Sequence, residues 1–152
     1  MDPIRVPRPR VFVDSDVLFA GAASASKHGA SLVILRLGEL TLIDAVVSKQ
    51  VVAEVERNLV EKLAGQLPAA RLLVSRSLRV IPNPKAADQE AHAGRAHPKD
   101  LPILVAAAQE GCTYLVTFNQ RHFRPGHHDL TVLTPGDFVL RLRELLTRLD
   151  RD

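Results

Sequence analysis

Residues 11–20 read VFVDSDVLFA. Val11, Phe12 and Val13 lead into Asp14-Ser15-Asp16, and a second apolar run follows. Apolar residues without alternation suit a strand covered on both faces, as in a parallel sheet. Two carboxylates between such runs then stand where a buried strand ends. In open parallel sheets that is the edge where ligands bind. An Asp after a strand also caps the next helix or closes a turn, so other residues must decide its role.

The chain has 152 residues, which suits one domain around one core. Apolar residues make up 46% and charged residues 24%, an ordinary globular balance. No apolar run approaches the roughly 20 residues of a membrane span. The opening MDPIRVPRPR lacks the apolar core of a signal peptide, so residues 1–10 are expected to be an extended lead-in before one domain over 11–149. A single cysteine, Cys112, excludes an internal disulfide and a cysteine zinc site, and fits a reducing cytoplasm. A net charge of +3 is compatible with nucleic acid but does not argue for it alone.

Strand and helix signals alternate outward from the opening stretch. Strands are expected at 10–14, 41–47, 79–84, 113–118 and 130–135. Helices are expected at 29–40, 49–65, 68–78, 101–111 and 136–149. Ser48 reads as the N-cap of the second helix, whose Val52, Val55, Leu59 and Leu63 recur at helical spacing. Gly111 reads as a helix stop. The alternation implies a three-layer α/β/α sandwich with a mainly parallel central sheet.

Four residues fall where such a sheet gathers its ligands. Asp14 ends the first strand, Glu54 lies in the second turn of its helix, Asp100 precedes another helix, and Asn119 ends the strand TYLVTF. Carboxylates crowded together raise one another's pKa, and a divalent cation relieves the conflict. Oxygen ligands suit Mg²⁺ or Mn²⁺. Taking Val52, Val55 and Leu59 as the buried face puts Glu56 nearer to it than Glu54, so helical geometry alone does not choose between these two. Asp100 also reads as a helix N-cap.

Four stretches together resemble the PIN domains, a family of metal-dependent ribonucleases. They are VFVDSDVLFA, VVSKQVVAEVERNL, HPKDLPILVAAAQEGCTYLVTFN, and LVTFNQRHF with VLTPGDFVLRL, in that order over about residues 11–145. The resemblance implies a PIN-like, Rossmann-like fold. It makes Asp14, Glu54 and Asp100 the metal-binding acids, and it favours Glu54 over Glu56 through its spacing from Ser48. It further implies RNA hydrolysis to 5′-phosphate and 3′-hydroxyl ends. Small bacterial members are often VapC-like toxins, dimeric and neutralised by an antitoxin.

The chain departs from the family at two places. Asp16 stands where Asn is common, and reads as a local cap or a residue supporting the metal. Where a fourth acid is common, TFNQRHF offers Asn119 and, three residues on, His122. Ser15, Thr117, Arg121 and Arg124 are the candidate substrate contacts, since arginine pairs well with phosphate. His122, His127 and His128 could suggest zinc, but adjacent histidines on a loop do not easily share one ion. Two rival readings remain: a PIN fold that binds RNA or a partner without cutting, and a haloacid-dehalogenase-like phosphatase suggested by DSDVL. The latter lacks a convincing downstream acidic pair.

Overall fold

The computed structural model describes residues 8–23 and 29–149. Most of the expected lead-in therefore lies outside the described residues, and Arg10 already belongs to the first strand. Five strands are described: β1 (Arg10–Val13), β2 (Asp44–Ser48), β3 (Arg79–Ile81), β4 (Tyr114–Val116) and β5 (Thr131–Leu133). They form one sheet in the order β3-β2-β1-β4-β5, and every pairing is parallel. The helices are α1 (Ser15–Ala23), α2 (Ala30–Glu39), α3 (Lys49–Lys62), α4 (Leu67–Ser77), α5 (Ala86–Ala91), α6 (Leu101–Gln109) and α7 (Pro135–Leu149). Two 3₁₀ turns, Ala64–Gln66 and Gln120–Phe123, complete the framework.

The order of strands sets the layers. Steps from β1 to β2 to β3 run one way across the sheet, and the step from β3 to β4 runs back. Right-handed crossovers then put α1–α4 on one face and α5 and α6 on the other. The packing agrees: α1, α2, α3 and α4 meet one another, α7 meets α2, and α5 meets α6. Phe12 and Leu115 at the sheet centre are fully buried. On α6, the five consecutive residues Ile103–Ala107 are all buried, which explains its apolar character all round.

The second strand starts three residues later than its sequence suggests, for a local reason. The helix α2 ends in a Schellman motif: the Leu42 amide bonds the Leu37 carbonyl and the Thr41 amide bonds that of Gly38. Thr41 takes φ +60° there, so 40–42 belong to the helix exit and not to the strand. Gly38 also lets α2 approach α4, because a Cβ would collide with the Ser77 carbonyl. Gly111 adopts φ +73° just past α6, as expected of a helix stop. The sequence reading did not assign α1 or α5.

Candidate metal centre

The connections after β1 and β4 leave toward opposite edges of the sheet, so the topological switch point lies between these two strands. Ligand crevices form there, outside the carboxyl ends. Val13 is in register with Val116, so the next residues, Asp14 and Thr117, emerge side by side. The Asp14 amide extends the ladder to the Val116 carbonyl at 3.0 Å. Its carboxylate is fixed at both oxygens. Oδ1 accepts from the Ser15 amide at 2.7 Å, and Oδ2 accepts from the Thr117 hydroxyl at 2.8 Å.

Asp16 leans on the same strand end. Its Oδ2 accepts from the Phe118 amide at 3.0 Å and from the Asn119 side-chain amide at 3.2 Å. Its Oδ1 accepts from the Val17 amide at 2.7 Å. Asp100 is the N-cap residue of α6, as expected, but its side chain makes no cap bond. Its Oδ2 instead bonds His122 Nδ1 at 2.8 Å.

The electrostatics follow from burial. Asp14 is only 5% exposed, and among the described residues no lysine or arginine pairs with Asp14 or Asp16. Desolvation, then the charge of Asp16, pushes the Asp14 carboxyl up to about 7, against the pull of its bonds from Thr117 and Ser15. The charge of Asp100 adds a further upward push. Asp16 is raised as well, chiefly by burial, with Phe118, Val17 and Thr117 opposing. Oxygen-only acids with raised pKa values and no lysine or arginine counter-ion suit a hard divalent cation.

The other expected residues divide. Thr117 is fully buried, so it clamps the acids and does not face a substrate. Ser15 also turns toward Asp14, its hydroxyl 3.5 Å from Oδ1. Asn119 lies three residues beyond the end of β4, and its amide supports Asp16. Arg121 and Arg124 are exposed, on the 3₁₀ turn and just after it. Glu54 is half-buried and bonds Gln50 at 3.1 Å; among the described residues no hydrogen bond joins it to the aspartates. Glu56 pairs with Arg71 of α4 at 2.8 Å. The buried face of α3 is Val51, Val55 and Leu59, with Val52 only partly covered. Exchanging Val52 for Val51 turns the buried centre by roughly 30° at 100° per residue. Glu54 and Glu56 then flank that face on opposite sides.

Two features escaped the sequence reading: the Thr117 clamp and the grip of His122 on Asp100. The first had a usable signal, because residues that follow paired parallel strands emerge together. The second had none beyond proximity to TFN. The loop histidines also lie closer than expected. Ligating atoms of His127, His128 and Asp129 fall within 4.8 Å of one another. His127 Nδ1 accepts from the Asp129 amide, and His128 and Asp129 are largely exposed.

The PIN domain family model matches residues 10–121. No curated protein matches the chain. Among solved structures, VapBC2 from Rickettsia felis bound to a DNA fragment from its promoter superposes with TM-score 0.61 at 18% identity, over 82% of this chain and 98% of that one. FitAcB from Neisseria gonorrhoeae gives TM-score 0.56 at 17% identity, over 82% and 97%. VapC20 from Mycobacterium tuberculosis gives 0.50 at 20%, over 69% and 86%. Identities this low speak for the fold alone. The family match spans Asp14, Asp16, Asp100 and the Thr117–Asn119 strand end, and it leaves the phosphatase alternative without support. This chain belongs to the PIN domain family.

Proposed function

We propose that the chain is a Mg²⁺- or Mn²⁺-dependent ribonuclease that hydrolyses RNA phosphodiester bonds. The observation that carries this reading is the buried Asp14 with the partly buried Asp16 beside it at the switch point, both paired to neither lysine nor arginine among the described residues. Asp14 and Asp100 would hold the ion, with Glu54 completing the acid set from α3. A divalent ion there lowers the pKa of a water and offsets charge developing on the phosphate.

The chain's own residues do the rest. Thr117 and Ser15 lock the Asp14 carboxylate, so it needs little reorganisation to bind a cation. Phe118, Val17 and Asn119 hold Asp16 beside it. With its carboxyl raised to about 7, Asp14 is partly protonated at neutral pH in the metal-free protein, and a bound cation would displace that proton. The exposed guanidinium groups of Arg121 and Arg124 supply phosphate contacts at the rim.

The biological setting is proposed on likeness. One structural neighbour is described as a sarcin–ricin loop cleaving toxin, and another as VapBC2 on DNA from its own promoter. By analogy this chain acts in the cytoplasm as the toxin of a toxin–antitoxin pair, as a homodimer neutralised by an antitoxin. One observation favours a second reading, a PIN-fold module that binds RNA or protein without cutting. Asn119 and His122 bring hydrogen-bond donors where a fourth acid was sought.

RNA cleavage by the purified protein separates the two. Cleavage is expected with Mg²⁺ or Mn²⁺ and not in EDTA. Undiminished cleavage in EDTA removes the metal from the mechanism. Absence of metal-dependent cleavage with RNA binding retained favours the module.

A further inference from the structure

Asp100 forgoes what a carboxylate at a helix start ordinarily does. It occupies the N-cap of α6, yet its side chain makes no bond to the helix amides. Its Oδ2 turns to His122 Nδ1 at 2.8 Å, and the carboxylate is mostly buried while the imidazole is half-exposed. An ionised carboxylate only accepts, so Nδ1 carries the hydrogen.

The imidazole is itself held in place. It stacks on the His97 ring with centroids 5.3 Å apart and planes 28° from parallel. The His97 amide donates to the His122 carbonyl at 2.7 Å. The His97 carbonyl in turn accepts from the Asp100 amide at 2.8 Å. Asp100 is thus gripped at its backbone through His97 and at its carboxylate through His122. The 3₁₀ turn that carries His122 is pinned by Phe123, 2% exposed in the core, and by the Gln120 side chain on the Val132 carbonyl at 3.1 Å. Two segments 22 residues apart are locked around one carboxylate. A cap needs none of this.

We infer that His122 is a positioning residue for Asp100: by holding one carboxylate oxygen it fixes the side chain for the divalent cation, and it brings to the site a donor in place of a fourth acid. The inference rests on the metal-dependent reading above. Hydrogen-bond partners of ligating carboxylates typically tune metal affinity by about 10- to 100-fold.

The test is Mn²⁺ titration by calorimetry on the full chain, with thermal melting of each metal-free variant alongside. His122→Ala should weaken Mn²⁺ binding about tenfold, while melting close to wild type because the ring is half-exposed. His122→Asn keeps a donor near the Nδ1 position and should recover most of the affinity, a rescue that a merely structural role would not show. Wild-type affinity in His122→Ala overturns the inference, and so does an Asn variant as weak as Ala. Should His122→Ala melt far below wild type, the Asn variant decides: wild-type affinity there supports the donor role, and weak binding refutes it. Asp14→Asn serves as the reference. If it binds Mn²⁺ as wild type does, or if wild type binds none, the metal reading fails and takes this inference with it. If wild type outbinds Asp14→Asn while His122→Ala matches wild type, only the inference about His122 fails.

Discussion

Asp14 and Asp44 belong to neighbouring strands and receive opposite treatment. Asp44 opens β2 at the amino edge of the sheet, in register with Arg10 of β1. Its carboxylate takes Arg10 Nε at 2.8 Å and Arg79 Nη2 of β3 at 3.0 Å. Arg79 also pairs with Glu110 past the end of α6, and Arg10 donates to the Glu110 carbonyl at 2.7 Å. Hydrogen bonds from Arg79, then from Arg10, hold the Asp44 carboxyl below its ordinary range despite partial burial. Asp14, past the carboxyl end of β1, has Thr117 and Ser15 but, among the described residues, no arginine, and its carboxyl rises to about 7. One edge neutralises its acids and ties three strands together. At the other edge, the buried Asp14 and the partly buried Asp16 have no such partners among the described residues, a cost that folding alone does not explain.

The largest expected effect breaks the site side of this contrast. Asp14→Asn should lower metal-dependent RNA cleavage by about 10³-fold or more, on the scale of losing a principal charge-stabilising group. Cleavage within tenfold of wild type, in initial-rate assays at saturating Mn²⁺, would break the assignment of Asp14.

The next effect is one of stability and pH. Asp14 has a folded pKa near 7 against an unfolded value of 3.8, so the unfolded state ionises first. Stability of the metal-free protein should therefore fall as pH rises from about 4 to 7, by roughly 3–4 kcal/mol from this group. Asp44 works in the opposite sense. Its lowered folded pKa gives stability that is complete above the unfolded carboxyl range and is lost as pH falls through the folded value. Urea unfolding in EDTA across pH 4–8 reads both. Asp14→Asn should flatten the upper part of the curve, and an unchanged slope there would show that burial does not penalise this carboxylate.

A smaller effect sharpens the other edge. Asp44→Ala leaves two arginines without their shared acid and should cost about 2 kcal/mol, between exposed and buried ion-pair values because the arginines are partly solvated. Cleavage per folded molecule should not change. A loss of activity without a loss of stability would mean that the two edges are coupled.

The smallest effect separates two glutamates on one helix. Glu54→Gln should reduce cleavage about tenfold, in the range of lost groups that support a metal ligand set. Glu56→Gln should leave the rate near wild type and weaken only the contact with Arg71 of α4. Equal losses, or a greater loss at Glu56, would show that the site draws its third acid from the other side of α3.

How much of this was legible depends on the range of the interaction. Strands, most helices, the Ser48 cap and the Gly111 stop all arise from contacts within a few residues, and periodicity reports them. The helix α1 escaped because its residues after Asp16 are all apolar or small and show no helical period, and α5, six residues long, is too brief to show one. Reading Val52 for Val51 as the buried position on α3 misplaced the face, since a neighbouring valine satisfies nearly the same spacing. The cap position of Asp100 was legible because capping is local, whereas the partner of its carboxylate lies 22 residues away.

The sequence by itself determined the α/β/α class, the parallel sheet and the placing of Asp14, Asp16 and Asp100 at element ends, because hydrophobic pattern and turn chemistry act over one or two turns of chain. Only the tertiary structure decided which acids are neutralised and which are not. Thr117 reaches Asp14 across 103 residues, Arg10 reaches Asp44 across 34, and His122 holds Asp100 across 22. Those meetings come from strand order and register, and no local pattern encodes them. The surroundings then convert the same residue type into a depressed carboxyl at one edge, where arginine hydrogen bonds outweigh desolvation, and into a raised one at the other, where burial dominates.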